Sequence, residues 1–111
     1  MVTVSFYQTP EGRWSGFKAH GHSGFAPAGK DIVCAAVSIL AQTAVLGLCH
    51  YLGKNVDVEV KEGFLNCHVC PITSKEIEQA EIILQTMYLG LTAVKENYGK
   101  YVEISKEVYK K

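Results

Sequence analysis

The chain has little proline and tryptophan, three and one in 111 residues. No Ser-rich or Pro-rich run reads as a linker and no internal repeat divides the sequence, so residues 1–111 are expected to form a single domain that buries a core without staples. Charge of one sign is also lacking: eleven Lys and Arg balance eleven Asp and Glu. Such a balance offers no general footing for a phosphate backbone and argues against direct nucleic-acid binding. The longest apolar stretches are broken by Ser38, Gln42, Thr43 and Gly47 before about 20 residues accumulate, which argues against a membrane span. The opening Val2-Thr3-Val4-Ser5-Phe6 alternates where a signal peptide needs a basic start and a continuous apolar stretch, so cytoplasmic residence is expected. In a reducing compartment Cys34, Cys49, Cys67 and Cys70 are expected to be free thiols or ligands, not a disulfide framework.

What is present is regular periodicity. Val2, Val4 and Phe6 share one face of an extended segment over residues 2 to 7, Pro10-Glu11-Gly12 turns the chain, and a second extended run follows from Arg13 to about His22. From Asp31 to Leu52 the pattern is too apolar and too long for a strand, and Gly53 offers a left-handed stop, so a mostly buried helix is expected. Val56, Val58 and Val60 alternate with Asp57, Glu59 and Lys61; Glu62-Gly63 turns the chain, and Phe64 to Cys70 returns as the partner strand. Thr73 and Glu76 make a capping box, after which Ile77, Ala80, Leu84, Met87, Leu91 and Val94 recur at helical spacing until Asn97-Tyr98-Gly99. Tyr101 to Ser105 supplies a last strand ahead of a charged tail, Lys106 to Lys111. The order β-β-α-β-β-α-β implies an α/β (α+β) two-layer sandwich, a mostly antiparallel sheet with two helices on one face. An uncovered opposite face carrying Tyr or Trp residues is a natural homodimer surface.

The chemistry concentrates around the first helix. A loop from Ser23 to Lys30, rich in Gly, Pro and small residues, precedes it, and Cys34 falls in its first turn, where free N–H groups and the helix dipole favour an anion. Thiols at such ends or beside His⁺ have pKa values lowered from about 8.5 to roughly 3.5–7.5. Taken alone, a Cys among Ala and Val residues is more often a small buried hydrophobe. The helix start, the loop before it and His22 at the loop's other end reverse that preference, making Cys34 a nucleophile and His22 its base. His20 shares the strand face with His22 but lies further inside the strand, where a structural role is the default. Lys30 reads by default as solvated.

Asp31, Cys34, Ser38 and Gln42 follow at steps of three, four and four, a polar stripe that should face a cleft or hydrogen-bonded neighbours. Asp31 reads equally as an orienting partner of His22 and as the helix N-cap; Ser38 reads as a substrate contact or as a hydroxyl bonded to the preceding turn. In the loop, Gly24 and Gly29 are hinge candidates and Phe25 a cover over an apolar peptide side chain, which makes the segment a candidate gate. His20, His22 and Cys34 would give zinc three ligands without an obvious fourth, so neither metal nor cofactor is expected. Cys67-His68-Val69-Cys70 has redox-pair spacing, yet in a strand positions three apart point to opposite faces. Cys67 is therefore assigned to the core with Leu65 and Val69, with His68 and Cys70 facing the other way. Cys49 reads as core filling and His50 as a partner for the helix C-terminal dipole.

The string Gly21-His22-Ser23-Gly24-Phe25, followed by Gly29-Lys30-Asp31-Ile32-Val33-Cys34-Ala35-Ala36-Val37-Ser38, resembles the ribosomal-processing cysteine protease family, Prp. The similarity extends over essentially the whole chain in length and element order. It implies His22 as base and Cys34 as nucleophile, with Asp31 and Ser38 at matching positions, and a homodimeric two-layer α/β sandwich. It also implies the substrate: the N-terminal extension of a large-subunit ribosomal protein, number twenty-seven, cut after an aromatic stretch. Two other classes compete with this reading. A non-catalytic ribosome-associated peptide-binding module would use the same cleft without needing a reactive thiol, and a small zinc protein would need bound metal to keep its structure.

Overall fold

The computed structural model describes residues 1–22, 24–27 and 31–108. The expected element order is realised as β1 (Val2–Gln8), β2 (Trp14–Gly21), α1 (Ile32–Leu52), β3 (Val56–Lys61), β4 (Phe64–Val69), α2 (Ser74–Tyr98) and β5 (Val102–Val108). The five strands form one sheet in the order β3-β4-β2-β1-β5. Both hairpins are antiparallel and β2 joins them by pairing with β4, while β5 returns to lie parallel to β1.

Alternation places Val2, Val4 and Phe6 of β1, Phe17 of β2, Cys67 and Val69 of β4 and Val102 of β5 beneath the helices. Against them α1 presents Val33, Val37, Ala41, Ala44, Leu48 and Leu52, and α2 presents Ala80, Leu84, Met87 and Leu91. Steps of three and four keep each set on one helix face. The helices approach closely at Gly90, where a Cβ would come within 3.0 Å of a Leu40 methyl group. By length and composition α1 is apolar enough to cross a membrane, so Ser38, Gln42, Thr43 and Gly47 do not interrupt it as expected. One face fills the sandwich, but only 28% of this apolar stretch is buried, so the expected mostly buried helix instead keeps an exposed apolar side at Ile32, Ile39 and Leu46.

The capping box at the start of α2 is complete. Thr73 Oγ1 accepts from the Glu76 N–H at 3.1 Å, and the Glu76 carboxylate accepts from the N–H groups of Ile72 at 2.8 Å and Thr73 at 3.3 Å. Those two donors, Ile72 first, hold the Glu76 carboxyl below its usual range. At the other end Gly99 is right-handed, with φ −55°, so the helix closes through a turn from the Tyr101 N–H to the Tyr98 carbonyl at 2.9 Å. β5 also runs further than its apolar pattern, through Lys106 and Glu107 to Val108. An edge strand has one open side and tolerates charge. The Lys106 ammonium settles 5.3 Å and 4.9 Å from the Trp14 and Tyr88 ring centroids, a contact worth about 0.5–1 kcal/mol at exposed sites.

The open sheet face is largely polar, and its Tyr7 is engaged within the chain. Tyr7 is buried on it, donating its hydroxyl to Asn66 Oδ1 at 2.7 Å and stacking on His68 with 4.6 Å between ring centroids. Gly16 stands between these two residues in the register, at φ +152° and at a position where a Cβ would collide with the Cys67 carbonyl oxygen. Ser105 donates to Ser5 on the same face at 2.9 Å. Trp14 turns instead toward the helices, 5.2 Å from Phe6 and 5.4 Å from Tyr88. Exposed apolar side chains gather on the outer side of the helices: Ile39, Leu46, Ile82 and Leu89 are each more than half exposed.

Candidate active site

The first turn of α1 is organised by Asp31. Its backbone is extended, with φ −84° and ψ 96°, and its carboxylate accepts from the Cys34 N–H at 2.9 Å while its carbonyl accepts from the Ala35 N–H at 3.1 Å. Asp31 is thus the N-cap, a bond worth about 1 kcal/mol, and it adds negative charge where the dipole is positive. Cys34 is half-buried directly above that cap.

His22 arrives from the other side. Gly21 ends β2 with φ +93°, a position where a Cβ would come within 2.6 Å of the Met1 carbonyl oxygen, so only glycine turns the chain out of the sheet here. The last β2–β4 pair is His20 with Phe64; beyond it the Gly21 N–H donates to the Gly63 carbonyl at 3.0 Å. His22 lies outside the ladder, with its imidazole over Gly63.

These residues meet at one cleft with two lobes. The first, of about 260 Å³, has an apolar lining that includes Val2, Ala19, Val37, Ala41, Val60 and Leu65, joined by His20, His22, Cys34, Ser38 and Gln42. The second, of about 610 Å³, is lined by His22, Gly24, Ala26, Asp31, Cys34, Ala35, Ser38 and Glu62. His22, Cys34 and Ser38 belong to both, so thiol and imidazole stand where the lobes join. The polar stripe of α1 does face a cleft, and within it Gln42 donates to the Ser38 hydroxyl at 2.7 Å. Ser38 is therefore tied one turn forward, not to the turn before it.

Other expectations resolve differently. Phe25 packs edge-on against Tyr98 and Tyr101, at centroid distances of 5.5 and 5.3 Å, and so docks at the α2–β5 junction instead of covering the cleft. The turn between those tyrosines makes an aromatic notch that competes for its ring. Gly29 lies outside the described residues, as do Ser23, Ala28 and Lys30. Cys67 is fully buried, and burial first, then Cys49 and Asp57, pushes its thiol up to about 12. Cys70 is exposed beyond the end of β4, so the two sulfurs of the C-x-x-C string diverge. Cys49 is exposed and does not fill the core; His50 is in the last turn of α1, edge-on to Tyr51. Among the described residues no three His, Cys, Asp or Glu side chains converge to hold a metal ion, and His20, His22 and Cys34 do not form such a group.

The β3–β4 turn also contributes to the cleft, though local periodicity does not mark it. Glu62, Gly63 and Val60 wall the cleft because β4 pairs with β2, which swings that turn beside His22. Only this strand pairing, absent from local periodicity, would have pointed to them.

Comparison with known proteins agrees with this geometry. The sequence profile of the family described as cysteine protease Prp matches residues 1–103. The ribosomal processing cysteine protease Prp of Staphylococcus aureus is 25% identical over 105 residues, covering 95% of this chain and 98% of that protein. Among solved structures, the essential ribosomal processing protease Prp from S. aureus in complex with a covalently linked product peptide superposes with a TM-score of 0.84 at 24% identity, over 96% of this chain and 100% of that one. SMU.848 from Streptococcus mutans superposes with a TM-score of 0.70 at 27% identity, over 96% of each chain.

Proposed function

The chain belongs to the cysteine protease Prp family, and from that premise we propose that it removes the N-terminal extension of a large-subunit ribosomal protein, number twenty-seven, with Cys34 as nucleophile and His22 as base. The observation that carries this reading is that Cys34 and His22 line both lobes of one cleft and sit where the lobes join. His22 takes the Cys34 proton, the thiolate attacks the scissile carbonyl, His22 returns the proton to the leaving amine, and water then hydrolyses the thioester. The Cys34 N–H is occupied by Asp31, which leaves the N–H groups of Ile32 and Val33 as candidate donors to the oxyanion. The apolar lobe suits an aromatic side chain of the extension, and the relative from S. aureus is known with a covalently linked product peptide. We place the reaction in the cytoplasm, where the ribosomal precursor is made. Incubating the protein with the extension-bearing precursor and locating the new N-terminus by mass spectrometry tests the assignment. Cleavage should vanish in Cys34→Ala and fall about 10²- to 10⁴-fold in His22→Ala, with melting unchanged; full activity in either variant refutes it.

The protein is further proposed to act as a homodimer. Support lies on the helices and not on the polar sheet face: a groove of about 340 Å³ between α1 and α2, lined by Ile39, Tyr51, Ile82 and Met87, opens beside Leu46 and Leu89. Light scattering should give twice the chain mass for the native protein and the single mass for Leu46→Glu.

A further inference from the structure

We infer that Gly63, in the turn joining β3 and β4, is a positioning residue for the His22 imidazole. The inference rests on the reading of His22 as the base. His22 stands beyond the last rung of β2, where no ladder bond fixes it. What it has instead is the flat backbone of a neighbouring turn. Gly63 adopts φ +68°, and a Cβ built on it would stand 3.3 Å from His22 Nε2 and 3.6 Å from Cε1. The first distance is shorter than ordinary van der Waals contact, so the ring would give way by a few tenths of an ångström. The turn is itself pinned to the end of β2 by the bond from the Gly21 N–H to the Gly63 carbonyl, 3.0 Å long. One glycine therefore fixes the turn beside the strand end, and its missing side chain sets how far the imidazole reaches toward the junction of the two lobes.

Reaction rate depends on such placement: misplacing a reacting group by 1 Å costs on the order of 10²-fold, so a shift of a few tenths predicts a loss on the order of 3- to 10-fold. Backbone strain alone is separated by a matched control. Gly53 has φ +59° with ψ −123°, not the left-handed helical stop expected, and a Cβ there meets nothing within 4 Å, so Gly53→Ala carries a positive-φ penalty without touching His22.

The experiment compares Gly63→Ala, Gly63→Asn, Gly53→Ala and His22→Ala with the native protein, using the extension peptide. Asn tolerates positive φ and so relieves the strain while keeping the Cβ. Both Gly63 variants should lower kcat on the order of 3- to 10-fold with KM within about twofold, and move the His22 ring Cε1–H resonance. Gly53→Ala should lose melting temperature and leave kcat and that resonance alone. Gly63 variants that behave like Gly53→Ala while His22→Ala is inactive overturn the positioning role and spare the base. An active His22→Ala overturns the base assignment itself.

Discussion

Cys34 stands half-buried at the head of α1 beside an open cleft shared with His22, whereas Cys67 is fully enclosed in the middle of β4 beneath both helices. The residue type is the same and the surroundings decide its chemistry. At the helix head, a half-exposed setting open to a peptide suits the nucleophile proposed above. In the sheet centre, removal from water disfavours the charged form and holds the thiol at about 12, so it packs as a small hydrophobe. The C-x-x-C spacing around Cys67 is the more conspicuous motif, yet Cys67 is buried within β4 and Cys70 is exposed beyond that strand's end.

Exchanging the two defects is the harshest way to break this contrast. Cys34→Ala should lower cleavage by at least about 10³-fold and leave thermal melting unchanged. Cys67→Ala should do the reverse, keeping kcat while the void it leaves costs about 1–2 kcal/mol, roughly 4–16 °C in melting temperature for a domain of this size. Lost cleavage in Cys67→Ala would show that the two settings are not independent.

A gentler probe is alkaline titration. Between the ordinary thiol value of 9.0 and about 12, the folded protein keeps the Cys67 proton that the unfolded chain has released. The native state then binds more protons, so stability falls as pH rises, by up to about 1.4 kcal/mol per unit. The stability that Cys67 contributes is whole below about 9 and lost by about 12. Denaturant melts across this window should show the native protein losing stability relative to Cys67→Val as pH rises; parallel curves would remove the buried proton from the comparison.

The smallest effect belongs to the cap beneath Cys34. Asp31→Ala should cost about 1 kcal/mol, and Asp31→Asn, which caps equally well, should restore it. A cleavage rate that stays low in Asp31→Asn despite recovered melting would show that the carboxylate charge acts on the cleft as well as on the helix.

Much of this was legible in the residues, because the signals are local. The capping box of Thr73 and Glu76, the apolar faces of α1 and α2 and the split of Cys67 from Cys70 follow from spacing alone. The polar stripe from Asp31 to Gln42 marked the cleft-facing side of α1 because burying unpaired polar groups is costly. What periodicity hid is contact between distant segments. Phe25 finds Tyr98 and Tyr101, Gly63 lies against His22, and β5 extends through Lys106 because two aromatic rings receive its ammonium. Each depends on which strands become neighbours, and alternation does not encode that.

The parallel pairing of β1 with β5 ties maturation to the order of synthesis. Ser5 and Ser105 meet across that pair, 100 residues apart, and Val2, which lines the apolar lobe, sits opposite Val102. The two hairpins can close within microseconds, but the outer edge of β1 waits for the final strand to be translated. A nascent chain therefore holds the Cys34 thiol over an unfinished floor until the last element has joined the sheet.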